Sequence, residues 1–227
     1  MANLTLTWLG HAGFRLDGSS GKRVYIDPWL DNPKFPESER EIERIDVLAL
    51  THGHSDHTGS ALDLARAHSP TIVCITELGD WFSNQGFEAH GINKGGSVDL
   101  DGVRVTMTDA RHSSSLPDGT YAGDPAGLVI ELDGVRVYHA GDTCAFGDMR
   151  LISRLHEPDV AILPIGDYYT MGPREAGLAL ELLGVKRCVP CHYGTFPALI
   201  GTPEELREHA PAGVEIVGLE PGESLEL

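Results

Sequence analysis

The stretch Thr51-His52-Gly53-His54-Ser55-Asp56-His57 decides how the rest of the chain is to be read. The largely apolar run Ile45–Leu50 leads into it, and a helix-like stretch, Gly59–His68, leads away. Three imidazoles and a carboxylate within six residues are costly to crowd together unless positive charge sits between them. Neutral imidazole and carboxylate are the usual nitrogen and oxygen donors to zinc and similar divalent ions. Short turns let His52 and His54 converge on one ion, while Asp56 and His57 project toward a second point nearby. A polar loop with scattered histidines is the plainer alternative, but donor side chains this dense argue against it. The loop is thus half of a candidate two-metal site, and the other half must come from elsewhere in the chain.

At 227 residues the chain is long enough for one large domain or two small ones. Hydrophobic content of 41% and charged content of 22% are those of a soluble globular protein. No apolar run approaches the roughly 20 residues that cross a bilayer. Met1-Ala2-Asn3-Leu4 lacks the basic-then-apolar pattern of a secretory signal, so a cytoplasmic location is expected. The net charge of −17, from 34 acidic against 17 basic side chains, repels nucleic acid and anionic membranes. No Lys/Arg run offsets it, so the expected partner is a small molecule, with no nucleic acid and no membrane. Nothing in the sequence fixes an oligomer, although self-association is compatible with it. The cysteines, Cys74, Cys144, Cys188 and Cys191, are dispersed and read as free thiols. Cys188-Val189-Pro190-Cys191 has redox-type spacing, but it reads as a buried strand without the helix N-terminus that activates such thiols.

Alternation marks Leu4–Trp8 as a half-buried strand, and Phe14–Leu16 and Val24–Ile26 as a hairpin turning at Gly18–Gly21. After the His-rich loop come a helix over 60–67, a buried strand over 71–75 and a short helix over 77–84. Hairpin patterns follow over 97–108, turning at Asp101-Gly102, and over 127–139, turning at Asp133-Gly134. A helix over 146–155, a strand over 160–163, a helix over 173–183 with Pro173 in its first turn, and a strand over 188–191 complete the second half. Thr202-Pro203-Glu204-Glu205 opens a last helix, 214–216 is a late strand, and the acidic tail reads as surface. Hairpins followed by strand–helix alternation occur twice, with a break at 114–123. The expectation is an α/β (α+β) fold in a single domain over 1–227, made of two similar halves. Two face-to-face sheets with helices on both outer sides satisfy that order.

Further donors stand just past strand ends: Asp27, His112, Asp142 and His192. Loops at one sheet edge are where such folds build their sites, and Gly141 allows close backbone approach beside Asp142. The order His52-x-His54-x-Asp56-His57, then His112, Asp142 and His192, resembles the ligand pattern of the metallo-β-lactamase superfamily. Gly10-His11-Ala12, Arg111-His112-Ser113-Ser114, His139-Ala140-Gly141-Asp142-Thr143, Ile165-Gly166-Asp167 and His192-Tyr193-Gly194-Thr195-Phe196-Pro197 resemble one branch of it. That branch consists of cytosolic prokaryotic metal-dependent hydrolases similar to the ascorbate-6-phosphate lactonase group.

The resemblance implies a four-layer αββα sandwich. It assigns His52, His54 and His112 to one divalent metal ion and Asp56, His57 and His192 to another, with Asp142 between them. Zinc is the expected metal, with Mn2+, Fe2+ or Ni2+ compatible with the same donors. It further implies a hydroxide bridging the metals that attacks a small ester, lactone or phosphoester, with Asp56 passing a proton to the leaving group. Asp56 and His11 are the candidate catalytic residues; for His11 a substrate contact and a structural hydrogen bond stand level. Asp27 is expected to hold a ligand imidazole or the loop backbone, the alternative being a turn residue before Pro28. Ser113, Ser114, Tyr168, Thr170 and Met171 are candidates for substrate contact, the serines alternatively capping a turn. His139 reads as structural, and His68 and His209 as helix-end residues. A phosphodiesterase or nuclease of the same fold, and a non-catalytic metal-binding scaffold, are the competing functions. A redox member is disfavoured because His54 stands where flavodiiron proteins usually carry Glu.

Overall fold

The computed structural model describes residues 3–227. Strand β1 (Leu4–Trp8) pairs antiparallel with β2 (Phe14–Gly18), which pairs antiparallel with β3 (Arg23–Ile26). From there the connections are parallel: β4 (Val47–Ala49), the short helix α1 (Ser55–Thr58), α2 (Ala61–His68), β5 (Thr71–Ile75), α3 (Thr76–Asn84) and β6 (Ala89–Ile92). The second sheet repeats the order. Strands β7 (Ser97–Leu100), β8 (Val103–Asp109), β9 (Ala126–Leu132) and β10 (Val135–His139) are antiparallel neighbours. Helix α4 (Met149–His156), β11 (Val160–Pro164), α5 (Pro173–Leu183), β12 (Arg187–Cys191), α6 (Pro203–His209) and β13 (Glu215–Ile216) then extend the sheet in parallel. Finally β14 (Ser224–Glu226) returns to β1, giving two seven-stranded mixed sheets.

The local causes are legible. Asp101-Gly102 and Asp133-Gly134 both take positive φ, at 53° and 91° and at 52° and 82°. That is the two-residue hairpin turn for which Asp-Gly is the strongest short-range signal. Strands β5 and β11 are buried nearly throughout, as parallel strands covered on both faces must be. Helix α6 carries a full capping box between Thr202 and Glu205, and α5 starts on Pro173 and ends at Gly184 in the left-handed region.

One core lies between the sheets, where Leu6, Phe14 and Leu48 meet Leu128, Ile130 and Val189, and it continues under α2 and α3 through Leu64, Leu78 and Phe82. A second core fills the space between the other sheet and its helices, with Tyr138 and Leu163 against Met149, Ile152 and Leu180. The result is the expected αββα sandwich of mixed sheets. No helix among the described residues is long and apolar enough to cross a membrane.

Three details differ from the sequence reading. The chain crosses between sheets after Ile92; the segment 114–123 instead joins β8 to β9 within the second sheet. Strand β6 carries His90 and Gly91 at a half-exposed edge, a composition that gives no strand signal. The acidic tail is exposed at Ser224 and Glu226, yet it forms β14, and charged side chains suit such an edge.

Directions of the strands explain where the site forms. Strands β1, β3 and β4 run the same way in one sheet, and β8, β10, β11 and β12 the same way in the other. The segments leaving their C-terminal ends carry His11, Asp27, the Thr51–His57 loop, His112, Asp142 and His192.

Candidate metal centre

Asp27 organises one side of this edge. Its Oδ1 accepts the Thr51 backbone N–H at 2.9 Å, and its Oδ2 accepts both the Thr51 hydroxyl and the His57 Nδ1–H, the latter at 2.7 Å. Because the Thr51 proton goes to Asp27, Thr51 Oγ1 is left to accept from His52 Nδ1, 3.0 Å away. One buried carboxylate thereby fixes the orientation of two imidazoles, with Nδ1–H of His52 and of His57 turned to the loop and Nε2 of each turned toward the centre. Asp27 is therefore a partner of the loop and not merely a turn residue.

His52, His54 and His112 bring ring nitrogens within 4.8 Å of one another, and the ring nitrogens of His11, His57 and His192 and a carboxylate oxygen of Asp56 form a second group within the same distance. Between these groups Asp142 places Oδ1 3.4 Å from His57 Nε2, and Oδ2 3.2 Å from His192 Nε2 and 3.6 Å from His112 Nε2. His57 Nε2, Asp142 Oδ1 and His192 Nε2 are buried and have no hydrogen-bond partner. Orphaned buried polar atoms are rare in folded proteins and call for an ion or water. Lone pairs and carboxylate oxygens facing one another across a few ångströms fit divalent cations.

Electrostatics agree. Burial holds His52, His54 and His112 below the usual imidazole range, so they are neutral donors at pH 7. Burial alone would also lower His57 and His192, but Asp142, joined at His57 by Asp27, outweighs it. His57 is held well above its ordinary value, and His192 is raised to about 9. Against their own burial, Asp56 is pulled down by hydrogen bonds to His11 and His192, and Asp142 by the charges of His192 and His57. The centre draws positive charge, as protons on those imidazoles or as bound cations.

The backbone is strained here. His11, Asp27 and His192 take φ of 51°, 43° and 55°, a region that non-glycine residues occupy mainly where the surroundings force it. At Gly141, with φ of 62°, a Cβ would lie 2.7 Å from the Ala126 carbonyl oxygen, so the close approach expected there is real.

The seven proposed donors converge, but the other candidates separate. His11 is fully buried between Asp56 and Thr195 and does not face the cavity. His139 is structural: its Nδ1 accepts the Gly141 N–H, and its Nε2–H donates to the Ala12 carbonyl. Ser113 lines the cavity, whereas Ser114 Oγ accepts the Gly53 N–H at 3.1 Å and so holds the His-rich loop. Tyr168 is 73% exposed and lies off the cavity, which Tyr169 lines instead. Thr170 donates to its neighbour's carbonyl, and Met171 is buried in the second core. The sequence reading missed Trp29, Tyr169 and Phe196, which wall a cavity of about 610 Å³ over the donors. Each is an aromatic within four residues of a singled-out position, and that was the available signal.

A family model described as the beta-lactamase superfamily domain matches residues 22–193. The chain belongs to that superfamily. A protein of Herpetosiphon aurantiacus called a metal-dependent hydrolase is 50% identical, with 99% of this chain and 98% of that one aligned. Another so called, from Korarchaeum cryptofilum, is 49% identical over 98% and 99% of the two chains. Among solved structures, Igni18, a metallo hydrolase of the archaeon Ignicoccus hospitalis, superposes with a TM-score of 0.87 at 36% identity, covering 99% of this chain and 98% of that one.

Proposed function

We propose that the chain is a metal-dependent hydrolase working through two divalent ions. His52, His54 and His112 would hold one, and Asp56, His57 and His192 the other, with Asp142 shared. The observation that carries this reading is the set of unpartnered buried atoms on His57, Asp142 and His192, aimed at one another from three separate segments. The names of the superfamily relatives support the same class. When bound, a pair of such ions supplies a water of near-neutral pKa and polarises the substrate's oxygen. Asp27 presets the two imidazoles, His11 holds Asp56, and Asp56 would relay a proton from the attacking water to the departing oxygen. Zinc suits this donor set; manganese, iron and nickel take the same donors. Both sheets share one core, which supports a single working domain, and the acidic surface supports a small-molecule substrate over nucleic acid.

Metal analysis after reconstitution tests the proposal: two equivalents per chain are expected, with turnover of an ester or lactone. Asp142→Ala is expected to lower both the stoichiometry and the rate. Full activity with two metals retained in that variant would sink the shared-ligand scheme.

A further inference from the structure

The metal donors form only the floor of the cavity; its walls have another chemistry. Trp29, from the segment after β3, and Phe196, from the segment after β12, set their ring centroids 5.9 Å apart at 39°. Both lie edge-on to the buried His11 ring, at 5.5 and 5.6 Å, so the pair is braced from behind. Tyr169, from the segment after β11, lines the same cavity. Phe196 is 36% exposed and Tyr169 55% exposed. Apolar surface held in water at a cavity mouth forgoes roughly 25 cal/mol per Å² of burial, which a ligand of matching shape recovers. No Lys or Arg among the described residues lines the cavity. Of the nearby cations, Arg111 lies over the Phe146 ring at 5.1 Å, and exposed Lys34 sits beside Gly194, outside the cavity lining. A phosphate carried away from the metals needs an Arg or Lys fork or a row of backbone N–H groups, and these walls offer aromatic faces instead.

We infer that the substrate is an uncharged ester or lactone whose non-reacting part is a flat aromatic group seated against Trp29, Phe196 and Tyr169. A phosphorylated sugar or a nucleotide is not the match. This rests on the hydrolase reading above. In the reaction the water oxygen bonds to the carbonyl carbon and the acyl C–O bond breaks. The departing oxygen takes a proton, and the new carboxylic acid releases one to solvent.

Three lactones test the inference on the metal-loaded enzyme: dihydrocoumarin, which carries a fused benzene ring; δ-valerolactone, the same ring without it; and 6-phosphogluconolactone. We expect kcat/KM for dihydrocoumarin to exceed the other two by about tenfold or more, the scale a hydrophobic pocket supplies. Trp29→Ala and Phe196→Ala should each lower the dihydrocoumarin-to-valerolactone ratio about tenfold from its parent value, with metal content unaltered. Calorimetry with the hydrolysis-resistant lactam, 3,4-dihydroquinolin-2-one, gives a readout independent of turnover; binding should weaken about tenfold in each variant. Preference for the phosphorylated lactone overturns the inference. So does equal turnover of all three with no lactam binding, which leaves the hydrolase reading standing. Phe196-dependent lactam binding without turnover of any lactone upholds the aromatic wall and removes the hydrolase reading.

Discussion

His11 Nε2 lies 3.0 Å from Asp56 Oδ2, while Nδ1 of the same buried ring lies 2.9 Å from Thr195 Oγ1. Burial lowers the His11 pKa to about 4, so the ring is neutral at pH 7 and carries a single N–H. An ionised carboxylate only accepts, so that N–H belongs on Nε2, and Nδ1 accepts the Thr195 hydroxyl proton. Thr195, one residue before Phe196, is thereby linked through His11 to Asp56.

Cutting this chain should loosen Asp56. Partners that orient a metal ligand typically contribute about 10–100-fold in metal affinity or rate. We expect His11→Ala to lose activity on that scale. Thr195→Val, which leaves Nδ1 buried and unpaired, should lose part of it, and Thr195→Ser should restore it. Metal titration and kcat measured together check this; a His11→Ala enzyme equal to the parent in both would refute the role.

Asp27 gives a sharper case. Asp27→Asn keeps the shape but replaces one acceptor-only oxygen by an amide NH2, so either the Thr51 N–H at Oδ1, or both the Thr51 hydroxyl and the His57 Nδ1–H at Oδ2, lose their acceptor. Breaking a buried charged pair costs about 3–5 kcal/mol. Metal affinity should also fall by about 10–100-fold, because His57 is freed to take the wrong tautomer. Thermal melts with and without metal separate the two effects. An undiminished affinity would mean that the His57 tautomer is set elsewhere.

Much of this was legible in the chain. The candidate donors could be read because residue types able to ligate a metal are chemically distinct, and here they stand at strand ends, as Asp142 and His192 do. The Asp-Gly hairpins could be read because their φ requirement is local. What stayed hidden depends on tertiary context. Nothing local distinguishes Tyr169 from Tyr168, since the difference lies in which way two left-handed residues, Asp167 and Tyr168, turn the chain. Likewise β14 exists because β1 offers an unpaired edge to Leu225 and its neighbours, a partner more than 200 residues away in sequence.

His139 predicts a pH dependence. Burial holds its pKa below the ordinary 6.5, with both ring nitrogens hydrogen-bonded in the neutral form. The unfolded imidazole takes up a proton near pH 6.5, and the folded one only at lower pH. Between those points the unfolded state binds more protons, so stability falls as pH falls, by up to about 1.4 kcal/mol per pH unit for one such group. We expect His139→Gln to be less stable at pH 7.5 yet to show a shallower loss between pH 6.5 and 5. Parallel stability curves for the two proteins would remove His139 from the acid transition.

The thiols provide the last test. Cys188 and Cys191 share β12, and both are buried, as is Cys74; burial pushes all three thiols up, away from the reactive thiolate. Neighbouring Asp142 raises Cys191 further. Residues three apart on a strand point to opposite faces, and accordingly Cys191 joins the core between the sheets while Cys188 joins the core beneath the helices. A disulfide between them would require both to leave their cores. Only Cys144 is exposed, so a thiol reagent at pH 8 should label one of the four cysteines in the native protein and all four in denaturant. A second fast-reacting native thiol, or a mass loss marking a Cys188–Cys191 disulfide, would restore the redox reading of the CxxC spacing.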